Sequence, residues 1–330
     1  MSRPGRILDA VSTSPLSPVQ QRVVDELMAR GRPRPTFEPE LPIRLRDALE
    51  AGLAPVAERL GTGELYVRKR DLVQVHSCEA HHVAERQRGF PGWSASTARG
   101  TVAHKAIELA VFMKEELAPL ELVDAAIQRF EDDLDDTWGP GEWLRGAPAV
   151  PRAELRSEAN ERVVRFLDSF PPLSPRWVPR LEAPVRVDLC DGRIVIQAKA
   201  DLVLGRARGT EARVLIVDFK TGGRYSTHVD DLRVYAHLEA TRSGVPPFRV
   251  ASYYLDSATF HYEDVDLDVL DVALARTIAG VTKVAELHLG DRAPTISPGP
   301  TCGFCSLRSE CEGARQWEVT GAERGWSEAT

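Results

Sequence analysis

The chain of 330 residues contains no run of about 20 apolar residues, so it offers no helix able to cross a bilayer. Its opening stretch, MSRPGRILDAVSTSPLSP, is polar and proline-broken where a secretory leader would carry an apolar core. The expected location is therefore the cytoplasm, where thiols stay reduced and grouped cysteines serve metals or catalysis more often than disulfides. No G-x-x-x-x-G-K-S/T loop is present, so ATP-driven unwinding is not encoded here. Basic excess is missing too: the net charge is −7, which argues against a broad nucleic-acid surface but not against local basic stretches. Lysine is scarce, with six residues against 36 arginines, and no internal repeat is visible. What remains is ordinary globular composition, 43% hydrophobic and 28% charged, in a length that suits one large domain or two of common size.

Three regions are expected: a partly disordered, helical N-terminal extension over 1–64, a main domain over 65–315, and a C-terminal tail over 316–330. Residues 1–17 read as disordered, 18–31 as a short amphipathic helix, 32–42 as a proline-rich linker and the segment from Ile43 as a second helix. Residues 64–87, ELYVRKRDLVQVHSCEAHHVAERQ, look strand-like. Helical patterns follow over 100–117, 121–135 and 151–170. Three strands come next, EAPVRVDLC, GRIVIQAKADLVLG and ARVLIVDFKTGG, then a helix VDDLRVYAHLEATRSG, a strand FRVASYYLDSAT and a helix over 265–290. This order points to an α/β fold with a mixed central sheet flanked by helices.

The stretch VLIVDFKTGG, 214–223, starts as a buried strand and then carries Asp218 and Lys220. Side chains two apart on a strand share one face, so the acid and the ammonium point together while Phe219 points away. The preceding strand ends near Asp201, and the short GRARGTEA between them permits a hairpin that lays Asp201 beside Asp218. Paired carboxylates repel unless a proton or cation sits between them, and an oxygen-rich pair suits a hard divalent ion such as Mg²⁺. A solvated ion pair on a surface hairpin is the alternative, made less attractive by the use of so scarce a residue as lysine at a buried position.

Four pieces occur in one order: GTVAHKAIE with His104, AKAD with Asp201, VDFKTG with Asp218 and Lys220, and DLRVYAHL with Tyr235. Together they resemble the PD-(D/E)XK nuclease superfamily, in particular its RecB-like branch of helicase-nucleases and CRISPR-adaptation exonucleases. That resemblance implies a restriction-endonuclease-like core over about 65–315. It also implies Mg²⁺ or Mn²⁺ held by His104, Asp201, Asp218 and the Phe219 carbonyl. Lys220 would position the attacking water, and Tyr235 would contact substrate or brace Lys220. Glu108 lies one turn beyond His104 on the same helix face. Two departures stand out: Asp231 replaces the glutamine of the family's Q-x-x-x-Y pattern, and Ala198 stands where glycine is common. Asp231 is expected to cap the helix that carries Tyr235 or, as the less favoured reading, to stand on the substrate side.

Three of the five cysteines fall in CGFCSLRSEC as Cys302, Cys305 and Cys311, and Cys78 lies far upstream in VHSCEAHH. Four thiolates suit tetrahedral Zn²⁺ or an iron–sulfur cluster, and spacing does not separate the two. One distant cysteine plus a C-terminal triplet is similar to the iron–sulfur RecB-type nucleases, which implies a 4Fe-4S cluster pinning the ends of the domain together. Cys190 reads as a buried structural thiol, and His76, His81 and His82 as solvent-facing residues or rival zinc ligands. The implied function is a metal-dependent deoxyribonuclease acting on single-stranded DNA or DNA ends, with unwinding left to a separate helicase. The alternative is a catalytically weak nucleic-acid-binding or scaffolding subunit of a repair or defence complex.

Overall fold

The computed structural model describes residues 15–89, 92–113, 117–136, 138–225 and 227–323. The expected disorder of 1–14, the end of the helix at 114–116 and the last part of the tail, 324–330, lie outside them. The chain opens with α1 (Pro18–Arg22), capped by Ser17, and a π-helical turn (Val23–Leu27). After it come α2 (Leu41–Leu60), β1 (Leu65–Arg68), α3 (Lys69–Ser77) and α4 (Glu79–Arg88). Then follow α5 (Ala95–Phe112), α6 (Pro119–Asp132), α7 (Gly141–Gly146), α8 (Ala149–Ser169) and a 3-10 turn (Pro175–Trp177). The rest comprises β2 (Arg180–Leu189), β3 (Ile194–Leu204), β4 (Leu215–Lys220), α9 (Thr227–Ser243), β5 (Arg249–Tyr254), β6 (Thr259–Asp264) and α10 (Leu267–Leu289). A second 3-10 turn (Pro300–Phe304) and α11 (Glu312–Glu323) close the described chain.

The strand-like reading of 64–87 holds only for β1. Beyond Arg68 the Asp71 carboxylate accepts the Arg68 N–H at 2.8 Å, which starts a helix, and the buried Leu72 and Val75 keep its three-residue spacing. β6 adds a strand over a stretch, 260–264, that the sequence reading left without an element; its side chains are half-buried or exposed, as an edge allows, so no apolar run announces it.

The sheet has six strands, mixed in direction, in the order β1-β3-β4-β5-β6, with β2 paired to the other side of β3. β2 lies antiparallel along β3 from Arg180↔Val203 to Leu189↔Ile194. The opposite edge of β3 is shared: β1 runs parallel to its start, ending at Arg68↔Gln197, and β4 runs antiparallel to its end, with Leu202↔Val217 the last pair. The chain ends of β1 and β4 therefore point toward each other across a short unpaired stretch of β3.

Helices cover both faces. α5, α6 and α8 bury Val102, Ile107, Val123 and Phe166 against Leu202, Val217 and Phe219. On the other face α2, α9 and α10 bury Leu49, Leu53, Leu238 and Val281 over β2 and the start of β3, and Leu41, Leu45 and Tyr235 over Ala200 and Ile216. The result is the helix-flanked mixed sheet expected from the sequence.

Candidate active site

Where β1 and β4 leave β3 unpaired, backbone groups lose their ladder partners, and side chains replace them. The Phe219 N–H donates to Asp201 Oδ2 at 2.6 Å, and the Lys199 carbonyl accepts from the Tyr235 hydroxyl at 2.6 Å. Polar side chains are thus drawn into the gap by the geometry of the sheet itself.

Asp218 is almost fully buried and sits between two ammonium groups, Lys220 Nζ at 2.7 Å and Lys69 Nζ at 3.1 Å. Burial alone would raise its pKa, but Lys69 and Lys220 hold the carboxyl well below the usual carboxylate range. Lys220 also meets Asp231 Oδ2 at 2.9 Å. Burial disfavours its charge, yet Asp218 and Asp231 together push the ammonium well above the ordinary lysine value. Lys220 is consequently a fixed cation and cannot serve as a proton acceptor near neutral pH. Lys69, the first residue of α3, was not singled out in the sequence; its Nζ also lies 4.4 Å from the Tyr235 ring centre. No local pattern marks it, because only the end-to-end approach of β1 and β4 brings it to Asp218.

A second group gathers beside this network. His104, Asp201 and Glu182 each present one ligand atom within 4.8 Å of the others, the one such compact donor group among the described residues. His104 Nδ1 lies 3.4 Å from Asp201 Oδ1. Burial works against charge on His104, but Asp201, Glu182 and Asp218 raise its pKa above the usual histidine value. Its ring meets Phe219 edge-on at 5.8 Å, and Phe219 packs against Phe166, Phe170 and Tyr253, so a wall of aromatics orients the imidazole. Glu182 was missed in the sequence reading. It stands in β2 opposite Asp201 with φ of 49°, a left-handed conformation that glutamate adopts at a cost, and it pairs with Lys199.

The expected ligand set is thus divided in the structure. His104 and Asp201 come together with Glu182, whereas Asp218 is engaged by the two lysines, and Phe219 contributes its N–H to Asp201. The two carboxylates are hard donors suited to Mg²⁺ or Mn²⁺ and the imidazole is a borderline third, and their side chains stay 13–29% exposed, open to an approaching phosphate. Glu108 turns instead to Lys105 at 2.9 Å.

Tyr235 is 1% exposed, so its ring is closed off from solvent. Its single hydroxyl proton is shared between the Lys199 carbonyl and Asp218 Oδ1, the latter at 3.0 Å. The capping role expected for Asp231 is corrected: α9 begins a turn earlier, at Thr227, which leaves Asp231 inside the helix and free to face Lys220. One of its oxygens is buried with no hydrogen-bond partner among the described residues.

Cys78, Cys302, Cys305 and Cys311 line one small pocket, together with His81 and Ile296. Backbone N–H groups of Ser297 and Gly299 donate to the sulfurs of Cys78 and Cys302 at 3.5 and 3.4 Å. Burial pushes the Cys305 thiol up against the backbone hydrogen bond at Leu307, with the three other cysteines adding to the rise. His81 and His82 are buried rather than solvent-facing, because α4 packs them inward, and burial lowers both pKa values. Cys190 is a buried thiol pushed up to about 11 by burial and by Glu50.

A family model described as the PD-(D/E)XK nuclease superfamily matches residues 70–312. No curated protein matches the chain significantly. Among solved structures, SSO0001 is similar at 14% identity, a TM-score of 0.36 and coverage of 82% of this chain and 97% of that one. A structure described as "Putative exonuclease" from Eubacterium rectale is similar at 12% identity, a TM-score of 0.45 and coverage of 76% and 87%. The family match covers well over half of the chain and includes α5, the β3–β4 hairpin and α9, whose residues meet in the gap of the sheet; the chain belongs to the PD-(D/E)XK nuclease superfamily.

Proposed function

We propose that the protein is a divalent-metal-dependent deoxyribonuclease that hydrolyses phosphodiester bonds in single-stranded DNA or at DNA ends. The observation that carries this reading is a lysine kept permanently charged by two carboxylates, adjoining a compact hard-donor set, in a chain of a nuclease superfamily. His104, Glu182 and Asp201 would hold Mg²⁺ or Mn²⁺, which when bound lowers the pKa of a water and offsets charge on phosphate. Lys220 orients the attacking water and faces the negative charge that develops on the phosphoryl oxygens as the P–O bond to the leaving group breaks. Asp218 and Asp231 hold the ammonium at its place, and Tyr235 fixes Asp218 against β3.

The four cysteines would hold a 4Fe-4S cluster that fastens the C-terminal segment to α3 and α4. The four thiols line one small pocket between α4 and the C-terminal segment, which supports a shared metal group there.

The test is digestion of end-labelled single-stranded DNA by the purified protein with Mn²⁺ and with EDTA, alongside Lys220→Ala. Cleavage by wild type that needs Mn²⁺ and vanishes in Lys220→Ala is expected. Binding without cleavage under all conditions would overturn the nuclease reading in favour of a scaffolding subunit. Iron content of the same sample decides the cluster.

A further inference from the structure

A cavity of about 820 Å³ lies at the far end of the β3–β4 hairpin, walled by residues 28–34, the 3-10 turn at Pro175–Trp177 and the facing ends Leu204 and Leu215. Asp201 and Asp218 are each three residues back along these strands, an offset of about 10 Å. The cavity thus adjoins the reactive groups without including them.

Its lining is strongly cationic. Arg30, Arg32 and Arg34 come from the N-terminal segment, Arg176 from the 3-10 turn, and Arg206 and Arg213 from the hairpin. The one acid in the lining, Glu211, is already paired with Arg213 at 2.5 Å. Arg34 is spent on the carbonyls of Met28 and Ala29 and stacks 3.8 Å over Phe248. Burial and then the neighbouring Arg249 and Arg213 lower its pKa, a sign of crowded positive charge. Arg30, Arg32, Arg176 and Arg206 are exposed and make no side-chain hydrogen bond or ion pair among the described residues. Other exposed arginines are either matched, as Arg156 is with Asp124 and Arg186 with Asp188, or, like Arg88 and Arg129, lie outside the cavity. Four unmatched guanidiniums around one concavity, in a chain of net charge −7, call for an anionic occupant.

We propose that this cavity binds the sugar-phosphate backbone of a single DNA strand away from the bond being cut; the inference rests on the nuclease reading above. Guanidiniums from three separate chain segments exceed what one phosphate can engage, whereas a strand presents a phosphate at every nucleotide. The volume lies within the range that encloses small ligands, a size that suits a few nucleotides of one strand. Trp177, half-buried at the wall, and the Arg34–Phe248 stack supply flat surfaces on which bases can lie.

The experiment is fluorescence anisotropy of labelled oligothymidylates of increasing length with the full chain as purified, in EDTA so that no hydrolysis is read. The variants Arg32→Gln/Arg206→Gln and Arg30→Gln/Arg176→Gln are compared with Arg88→Gln/Arg129→Gln, exposed residues outside the cavity. Affinity should rise with length in wild type. Each cavity variant should bind roughly tenfold more weakly, with the salt slope reduced by about 1 to 1.5, while the control pair stays near wild type. Wild-type affinity and slope in both cavity variants would overturn the proposal. So would thymidine triphosphate binding as tightly as the longest oligonucleotide, which marks a nucleotide pocket. Absence of cleavage in the separate digestion assay bears on the nuclease reading alone, since arginine-dependent binding is measured without it.

Discussion

Lys220 is the residue on which the site turns, because it is the cation between Asp218 and Asp231. Lys220→Met should abolish cleavage and, contrary to a purely catalytic role, also cost on the order of 3 kcal/mol of stability, since a buried acid is left uncompensated. The pH sign follows from Asp218, whose folded pKa is depressed. Its paired charge stabilises the wild type above the unfolded value of about 3.9, and that contribution is lost as pH falls through the folded pKa. The melting-temperature gap between wild type and Lys220→Met should accordingly be wide from about pH 8 down to about pH 4 and begin to narrow only below that, as pH falls toward the depressed pKa of Asp218. A gap that does not narrow below that point would show that the ion pairs do not stabilise the fold. Glu182 supplies a second test. Mn²⁺ should raise the wild-type melting temperature by mass action, and Glu182→Gln should remove most of that rise. The rise should also shrink in acid, because His104 ligates only when neutral and its pKa is held up by the neighbouring acids. An unchanged rise in Glu182→Gln would exclude Glu182 as a ligand. The D-x-K face of β4 was legible from strand period alone. Glu182 was not, since nothing in LEAPVRV distinguishes a solvated glutamate from one turned inward by a left-handed backbone.

At the scale of elements, the decisive arrangement is β1 and β4 meeting end to end on one edge of β3. The hairpin was readable because apolar runs flank a short turn. The meeting was not, because β1 pairs with a strand more than a hundred residues away and carries only four residues. Cys78 occupies a comparable joint between α3 and α4. Around it Ala80 N–H donates to the Thr295 carbonyl at 3.1 Å, and Glu79 forms an ion pair with Arg292 at 2.5 Å, so α4 is tied to the segment after α10. On the proposed cluster reading, Cys78→Ser should purify with little iron and a lower melting temperature, because metal binding at such a joint is folding free energy. Cys190→Ala should keep the iron in full. Iron retained in Cys78→Ser, measured per protein, would require a different fourth ligand, for which His81 also lines the pocket.

For the whole molecule, the N-terminal segment is part of the packing. Leu41, Leu45, Leu49, Leu53 and Val56 of α2 are buried against the helices and strands of the main region. At about 2 kcal/mol each, these five side chains approach the entire stability of an ordinary domain, about 5–15 kcal/mol. A chain starting at residue 65 is expected to lose cooperative thermal unfolding by circular dichroism. A sharp transition near the wild-type temperature would instead mark 65–315 as an independent domain. The amphipathic period of α2 was visible in sequence, but period shows only that a face is buried and says nothing of its partner.

By itself, the sequence determined the apolar strands, the shared face of Asp218 and Lys220, the order of the motifs that carry His104, Asp201 and Tyr235, and the two places where cysteines stand. These follow from local chemistry: side-chain period, turn residues and fixed spacing along the chain. The tertiary structure alone decided that Lys69 joins Asp218, that Glu182 joins His104 and Asp201, and that Asp231 holds Lys220 in place of capping α9. It also brought arginines from three distant segments around one cavity. The physical reason is common to all of these: each depends on which strand edges pair and where the pairing stops, a long-range choice driven by burial of both sheet faces that leaves no signature in any short stretch of residues.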